Sequence, residues 1–130
     1  MNKVPLITVT SNLVQFQFGS SSGIVNSSTI QTNTWYHTVA TYNLSSNQIY
    51  LNGSLQNTTS YSSAAIELSG SNGQTAGIGC LFSMHGNVSG GPTRYGTFNG
   101  NISLVKYYNR ALTAAEIQQN FNALRGRFGI

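Results

Sequence analysis

The sequence predicts an all-β protein: a jelly-roll-like antiparallel β-sandwich closed by one short C-terminal α-helix. Three observations carry this. Short runs that alternate apolar and polar residues recur along the chain, as in residues 13–18, where Val14, Phe16 and Phe18 share one face and Gln15 and Gln17 the other. Turn signals separate the runs, and Asn52-Gly53 is the strongest of them. A helical period occurs only near the C-terminus, where Ile117, Phe121 and Leu124 repeat at i, i+4 and i+7.

Composition agrees with an ordered domain. A chain of 130 residues is expected to form one domain. Charged residues make up 6% of it, against roughly 25% in ordinary globular chains. Ser, Thr, Asn, Gln and Gly take their place. Polar tracts of this kind are compatible with disorder, but 39% hydrophobic and 11% aromatic residues in alternating patterns favour a packed core. The surface is then uncharged and hydrogen-bonding.

The net charge of +4 arises from six basic residues against two acids. The bases are scattered until the C-terminus and form no cluster interleaved with aromatics, so no nucleic-acid partner is expected. Cys80 is the single cysteine, which excludes an intrachain disulfide. No run approaches the length of a membrane span, and residues 1–12 hold no signal-type apolar core.

Taken in order, residues 1–12 read as an extended lead containing Pro5. Residues 13–18 form a half-buried strand, and Ser/Gly-rich residues 19–23 a turn. Residues 24–25 and 29–31 suggest a short strand pair. Residues 35–42 form a strand with Trp35, His37, Val39 and Thr41 on one face and Tyr36, Thr38, Ala40 and Tyr42 on the other. Both faces carry bulk, so this strand is expected to be central, with Trp35 in the core. Asn52-Gly53 closes a hairpin between residues 48–51 and 54–56. Residues 57–64 form a polar loop holding Tyr61. Residues 66–68 and 75–82 are further strands, the latter with Gly77 and Gly79 in it. Residues 83–96 make a long loop. Asn99-Gly100 marks a turn before a strand over residues 102–108.

The helix start is locally well specified. Thr113 as N-cap and Glu116 three residues on make a capping box, and Leu112 with Ile117 a hydrophobic staple. Gly126 is expected to stop the helix. The domain then spans residues 13–125, with residues 126–130 as a tail.

Two blocks resemble a known family. One is Phe98-Asn99-Gly100 followed by Ile102, Val105, Tyr108-Asn109-Arg110-Ala111-Leu112-Thr113 and Glu116-Ile117. The other is Trp35-Tyr36-His37-Thr38-Val39-Ala40-Thr41-Tyr42 followed by Ile49-Tyr50-Leu51-Asn52-Gly53. In this order they resemble the laminin-G-like branch of the concanavalin A-like lectin/glucanase superfamily. Residues 121–130 are similar to the ends of such domains in bacteriophage structural proteins. The resemblance implies a β-sandwich. It also implies preceding strands, with an F-D-G segment and a W-V/I-K/R strand, that this sequence does not match. Without them, sheet edges would stay open unless another chain completes the sandwich.

Enzymatic chemistry has little to work with. A retaining glucanase needs two carboxylates about 5–5.5 Å apart, and a Ser-His-acid triad also needs an acid. The chain has no aspartate, and Glu67 and Glu116 are its only acids. Calcium sites draw on carboxylates, and His37, His85 and Cys80 lack metal-ligand spacing. No catalytic residue, metal or cofactor is therefore expected. Tyr61, His85, Asn87, Arg94 and Tyr95 are candidate glycan contacts, because aromatic platforms and neutral hydrogen-bonding groups suit sugars. Arg125, Arg127, Phe128 and Ile130 are candidate subunit contacts, since Arg and aromatics are enriched at interface cores. The expected function is that of a non-enzymatic virion component, such as a capsid decoration, fibre or tail-associated protein. It would contact other virion proteins or copies of itself. The alternative is a lectin-like module that binds cell-surface glycan.

Overall fold

Alternation decides the first sheet. Strands β1 (Leu6–Thr10), β2 (Leu13–Gln17) and β3 (Ile24–Thr29) pair antiparallel in that order. The β1–β2 link is a two-residue loop with Ser11 and Asn12 at φ 50° and 60°, the doubly left-handed form that matches strand twist. The β2–β3 ladder shifts register between Leu13 and Gln15. Ser27 fills that irregularity, its hydroxyl accepting from the Val14 N–H at 3.0 Å. The computed structural model describes residues 5–18, 21–62, 77–83 and 93–130.

The second sheet orders β4 (Thr38–Tyr42), β5 (Ser46–Leu51) and β6 (Ser54–Ser60). Its first turn is held by Asn43, whose Oδ1 accepts from the N–H groups of Ser45 and Ser46 at 3.1 and 2.8 Å. This is an Asx turn that substitutes side chain for backbone. Its second turn is Asn52-Gly53, at φ 49° and 80°. The Asn52 side chain also accepts from the His37 N–H at 2.9 Å, and the Asn52 N–H donates to the His37 carbonyl at 2.8 Å. The hairpin tip is thereby tied to the residue that enters β4.

Parity along β5 makes this sheet the middle layer. Ile49 and Leu51 face the first sheet and join Val14, Phe16, Phe18 and Val25 in one buried cluster. Tyr50 faces the other way and packs with Val39, Leu112 and Ile117. The layers are therefore sheet, sheet and helix α1 (Ala114–Phe128). Phe18 stacks on Tyr42 at 4.3 Å between ring centroids, and Tyr61 meets Phe18 edge-on at 6.5 Å. Asn47 is fully buried and donates from Nδ2 to the Gly23 carbonyl, bridging the sheets. Gly23 has no alternative, because a Cβ there would collide with the Phe18 carbonyl oxygen.

By contact density this assembly, Lys3–Ile66 with Tyr108–Ile130, is one unit, and Glu67–Tyr107 is a second. In the second, β7 (Cys80–Ser83) pairs antiparallel with β8 (Thr93–Thr97). The Phe98 N–H donates to the Gly79 carbonyl at 2.9 Å, and Gly79 takes φ 76°.

Several expectations are corrected. The lead includes a paired strand, β1, and residues 24–29 are one continuous strand. Residues 54–60 extend the hairpin into what read as loop. The strand of residues 35–42 starts at Thr38 and, among the described residues, is an edge of its sheet rather than central. Residues 102–108 are exposed and carry no ladder. The strand expected over residues 102–108 is therefore not formed: apolar composition favours a strand, but a strand exists only with a partner. Residues 93–97, read as loop, form β8. The strand over residues 66–68 lies outside the described residues.

Candidate binding surface

The two ends of α1 carry the chemistry that the described residues offer. At its start, Thr113 Oγ1 accepts from the Glu116 N–H at 3.3 Å, and Glu116 Oε2 accepts from the Thr113 N–H at 2.8 Å. The capping box is complete. Leu112 and Ile117 are both buried together, as a staple requires. Arg110 then closes on the same carboxylate with two bonds, at 2.9 Å to Oε2 and 2.6 Å to Oε1. The Arg110 guanidinium first, and then the Thr113 N–H and hydroxyl, hold the Glu116 carboxyl down at about 2.

A shallow hollow of about 300 Å³ runs along this corner, lined in part by Tyr108, Arg110, Glu116, Gln119 and Asn120. A carboxyl so far below its usual range is a fixed anion at neutral pH. General acid catalysis wants the opposite shift. Within the hollow Glu116 is an acceptor of hydrogen bonds rather than a source of protons.

The far end of α1 differs from the expectation. Gly126 does not stop the helix, which runs on to Phe128 and ends at Gly129 with φ 68°. The Ile130 N–H reaches back to the Arg125 carbonyl at 3.2 Å, the long closing bond of a Schellman ending. The tail is thus mostly helix. Phe128 packs on Trp35 with 5.1 Å between centroids, and Phe121 lies 5.9 Å from His37. Arg127 sits over Phe128 and Arg125 over Phe121, at 5.6 and 5.7 Å. Such stacking is worth about 0.5–1 kcal/mol at exposed sites.

Trp35 is therefore not core. It is 38% exposed, with Phe128 against it. The face parity of residues 35–42 was legible: Trp35, His37 and Val39 do look toward one side, the helix side. What the alternation could not say is that Trp35 meets only the last turn of the helix, at Phe128, and stays partly exposed there.

Of the candidate glycan contacts, Tyr61 is half-buried beside Phe18 and Tyr42. Arg94 and Tyr95 lie on β8, opposite Phe82 and Leu81. His85 and Asn87 lie outside the described residues. Tyr61 belongs to the first unit, and Arg94 and Tyr95 to the second. Of the candidate subunit contacts, Arg125, Arg127 and Phe128 share the helix end, and Ile130 follows the cap. The surface that sequence reading missed is Trp35 with Phe128. Their separation of over ninety positions left no local signal to join them.

Two short antiparallel sheets stacked face to face, with a C-terminal helix against the second, make a β-sandwich of concanavalin A-like type. A family model described as the concanavalin A-like lectin/glucanases superfamily, of laminin G type, matches residues 5–118. The chain belongs to that superfamily. No curated protein matches it. A solved structure, the crystal structure of an S-layer domain-containing protein from Clostridium thermocellum, superposes with a TM-score of 0.54 at 20% identity. The match covers 92% of this chain and 63% of that one. At this identity it shows the fold alone.

Proposed function

We propose that this chain is a non-catalytic β-sandwich module that serves as a structural component of a bacteriophage virion: a capsid decoration, a fibre or a tail-associated part. The observation that carries the non-catalytic half is the state of its carboxylates. The chain has two, and Glu116 is spent on capping α1 and pairing Arg110. A retaining glycosidase needs two free to act about 5–5.5 Å apart. The similarity of residues 121–130 to the ends of phage structural domains supports the particle half. In this reading the partners are other virion proteins or further copies of the chain. Neither nucleic acid, membrane nor cofactor takes part.

Mass spectrometry of purified particles tests the location. The chain should appear at stoichiometric copy number, and its absence from intact particles overturns the proposal. Chelator should leave the melting temperature unchanged, and a drop of several degrees would show a structural metal.

A second reading, a lectin-like module for host adhesion, is favoured by one specific feature. Trp35 is exposed beside Phe128 and Arg127 on a surface otherwise rich in Ser, Thr and Asn. A partly exposed indole suits the apolar face of a sugar ring. Glycan-array binding by the isolated protein that disappears in Trp35→Ala would favour this reading over the first.

A further inference from the structure

The last turns of α1 gather aromatic and cationic groups at one corner of the first unit. Phe121, Arg125 and Phe128 recur at i, i+4 and i+7, so they share one stripe of the helix. Phe121 meets His37 and Phe128 meets Trp35, so the stripe follows the segment that enters β4. Trp35, Arg125 and Arg127 are all exposed. Each guanidinium lies over a phenyl ring, and neither forms an ion pair among the described residues.

The chain has too few acids to neutralise this corner. Of its two acidic side chains, Glu116 is closed on Arg110 by two hydrogen bonds. Two arginines then stand against one carboxylate, that of Glu67, which lies outside the described residues. A second copy brings the same imbalance, because each chain carries +4. This corner packed on its own counterpart would set arginine against arginine. A basic residue in the last turn complements the free carbonyls of a helix end, but that role needs no indole beside it. Trp and Arg together are the residue types that dominate binding energy at protein interfaces. A guanidinium already stacked on a ring keeps its planar fork of donors free for a carboxylate.

We infer that the Trp35–Phe128 corner docks an acidic segment of a different protein. Carboxylates of that segment pair with Arg125 and Arg127, and an apolar side chain of it covers the exposed part of the indole. This rests on the reading of the chain as a structural module of a particle, and adds the chemistry of its partner. The partner is a peptide rich in Asp or Glu rather than a further copy of this chain, because the charge that the corner lacks is one that this chain does not carry in surplus. Opposite charge across the contact sets its register and speeds encounter, and both effects weaken with salt.

Trp35 is the only tryptophan of the chain, so its fluorescence reports from inside the contact. In the wild type, iodide should quench it more strongly than caesium, because cations flank the indole. The full chain is then titrated with poly-L-glutamate. Binding should shift the Trp35 emission and weaken as salt is raised. Arg125→Gln with Arg127→Gln should weaken binding by about tenfold. Gln is a good helix former, and circular dichroism checks that α1 is retained. Lys3→Gln with Lys106→Gln removes the same charge elsewhere and should bind as the wild type does. Equal quenching by the two ions overturns the inference, and so does a wild type that does not bind poly-L-glutamate. Equal loss in the two double variants overturns it as well. Tighter binding of polygalacturonate than of poly-L-glutamate also overturns it, in favour of the lectin-like reading. None of these measurements needs a particle, so a chain found in virions yet blind to poly-L-glutamate keeps its location and loses this partner.

Discussion

Glu116 concentrates the electrostatics of the described chain at one position. Its carboxylate serves three groups at once: the Thr113 N–H, the Thr113 hydroxyl and the Arg110 guanidinium. Removing the cap hydroxyl with Thr113→Ala leaves the Glu116 N–H without its side-chain acceptor. It should lower stability by about 0.5–2 kcal/mol, read from a denaturation midpoint. The ion pair has a pH signature. The folded carboxyl lies at about 2, below its ordinary 4.5. Its contribution is therefore complete above pH 4.5 and is lost as pH falls from there toward 2. In Arg110→Met the Glu116 carboxyl should titrate closer to 4.5 by side-chain NMR, and the loss of stability over that window should shrink. An unmoved titration would mean that Thr113 alone holds the carboxylate.

Helix α1 shows how an element's ends are set by different physics. Its start is written in four consecutive features of the sequence, from Leu112 to Ile117, and all of them appear in the structure. Its end is not. Two glycines, Gly126 and Gly129, are each able to stop a helix, and local rules favour the first because it directly follows the apolar repeat. The structure selects the second, since carrying on through Gly126 brings Phe128 onto Trp35. The two positions should therefore respond to alanine with opposite sign. Gly126 is helical with nothing within 4 Å of a new Cβ, so Gly126→Ala should stabilise by about 0.5–1 kcal/mol. Gly129 is equally open but sits at φ 68°, so Gly129→Ala should cost roughly 1–2 kcal/mol. Thermal melts of the two variants displaced in the same direction would refute this assignment of the helix end.

At the scale of the molecule, the middle sheet is the joint of the sandwich. Ile49, fully buried, is its contribution to the core between the sheets, and Tyr50 its contribution to the helix side. Ile49→Ala should cost about 2–5 kcal/mol and should loosen both sheets, because the same strand holds each layer. If near-UV circular dichroism of the aromatic cluster around Phe18 and Tyr42 were unaltered in this variant, the two sheets would not share one core.

The sequence by itself determined the local features. The alternation of Val14, Phe16 and Phe18, the Asn52-Gly53 turn, the opposite faces of residues 35–42 and the capping box all depend on neighbours within a few positions. Their physics is steric and short-ranged, so a linear pattern suffices to read them. The family, too, was legible, because its two blocks preserve those same local features. Tertiary structure alone decided the rest. It placed Trp35 at a rim rather than in the core, carried the helix past Gly126 and left β4 at a sheet edge among the described residues. It also left residues 102–108 without a ladder despite their strand-like composition. Each of these depends on which distant surface is present to cover an apolar side chain or satisfy a backbone group. That is a property of the assembled layers, and no window of residues contains it.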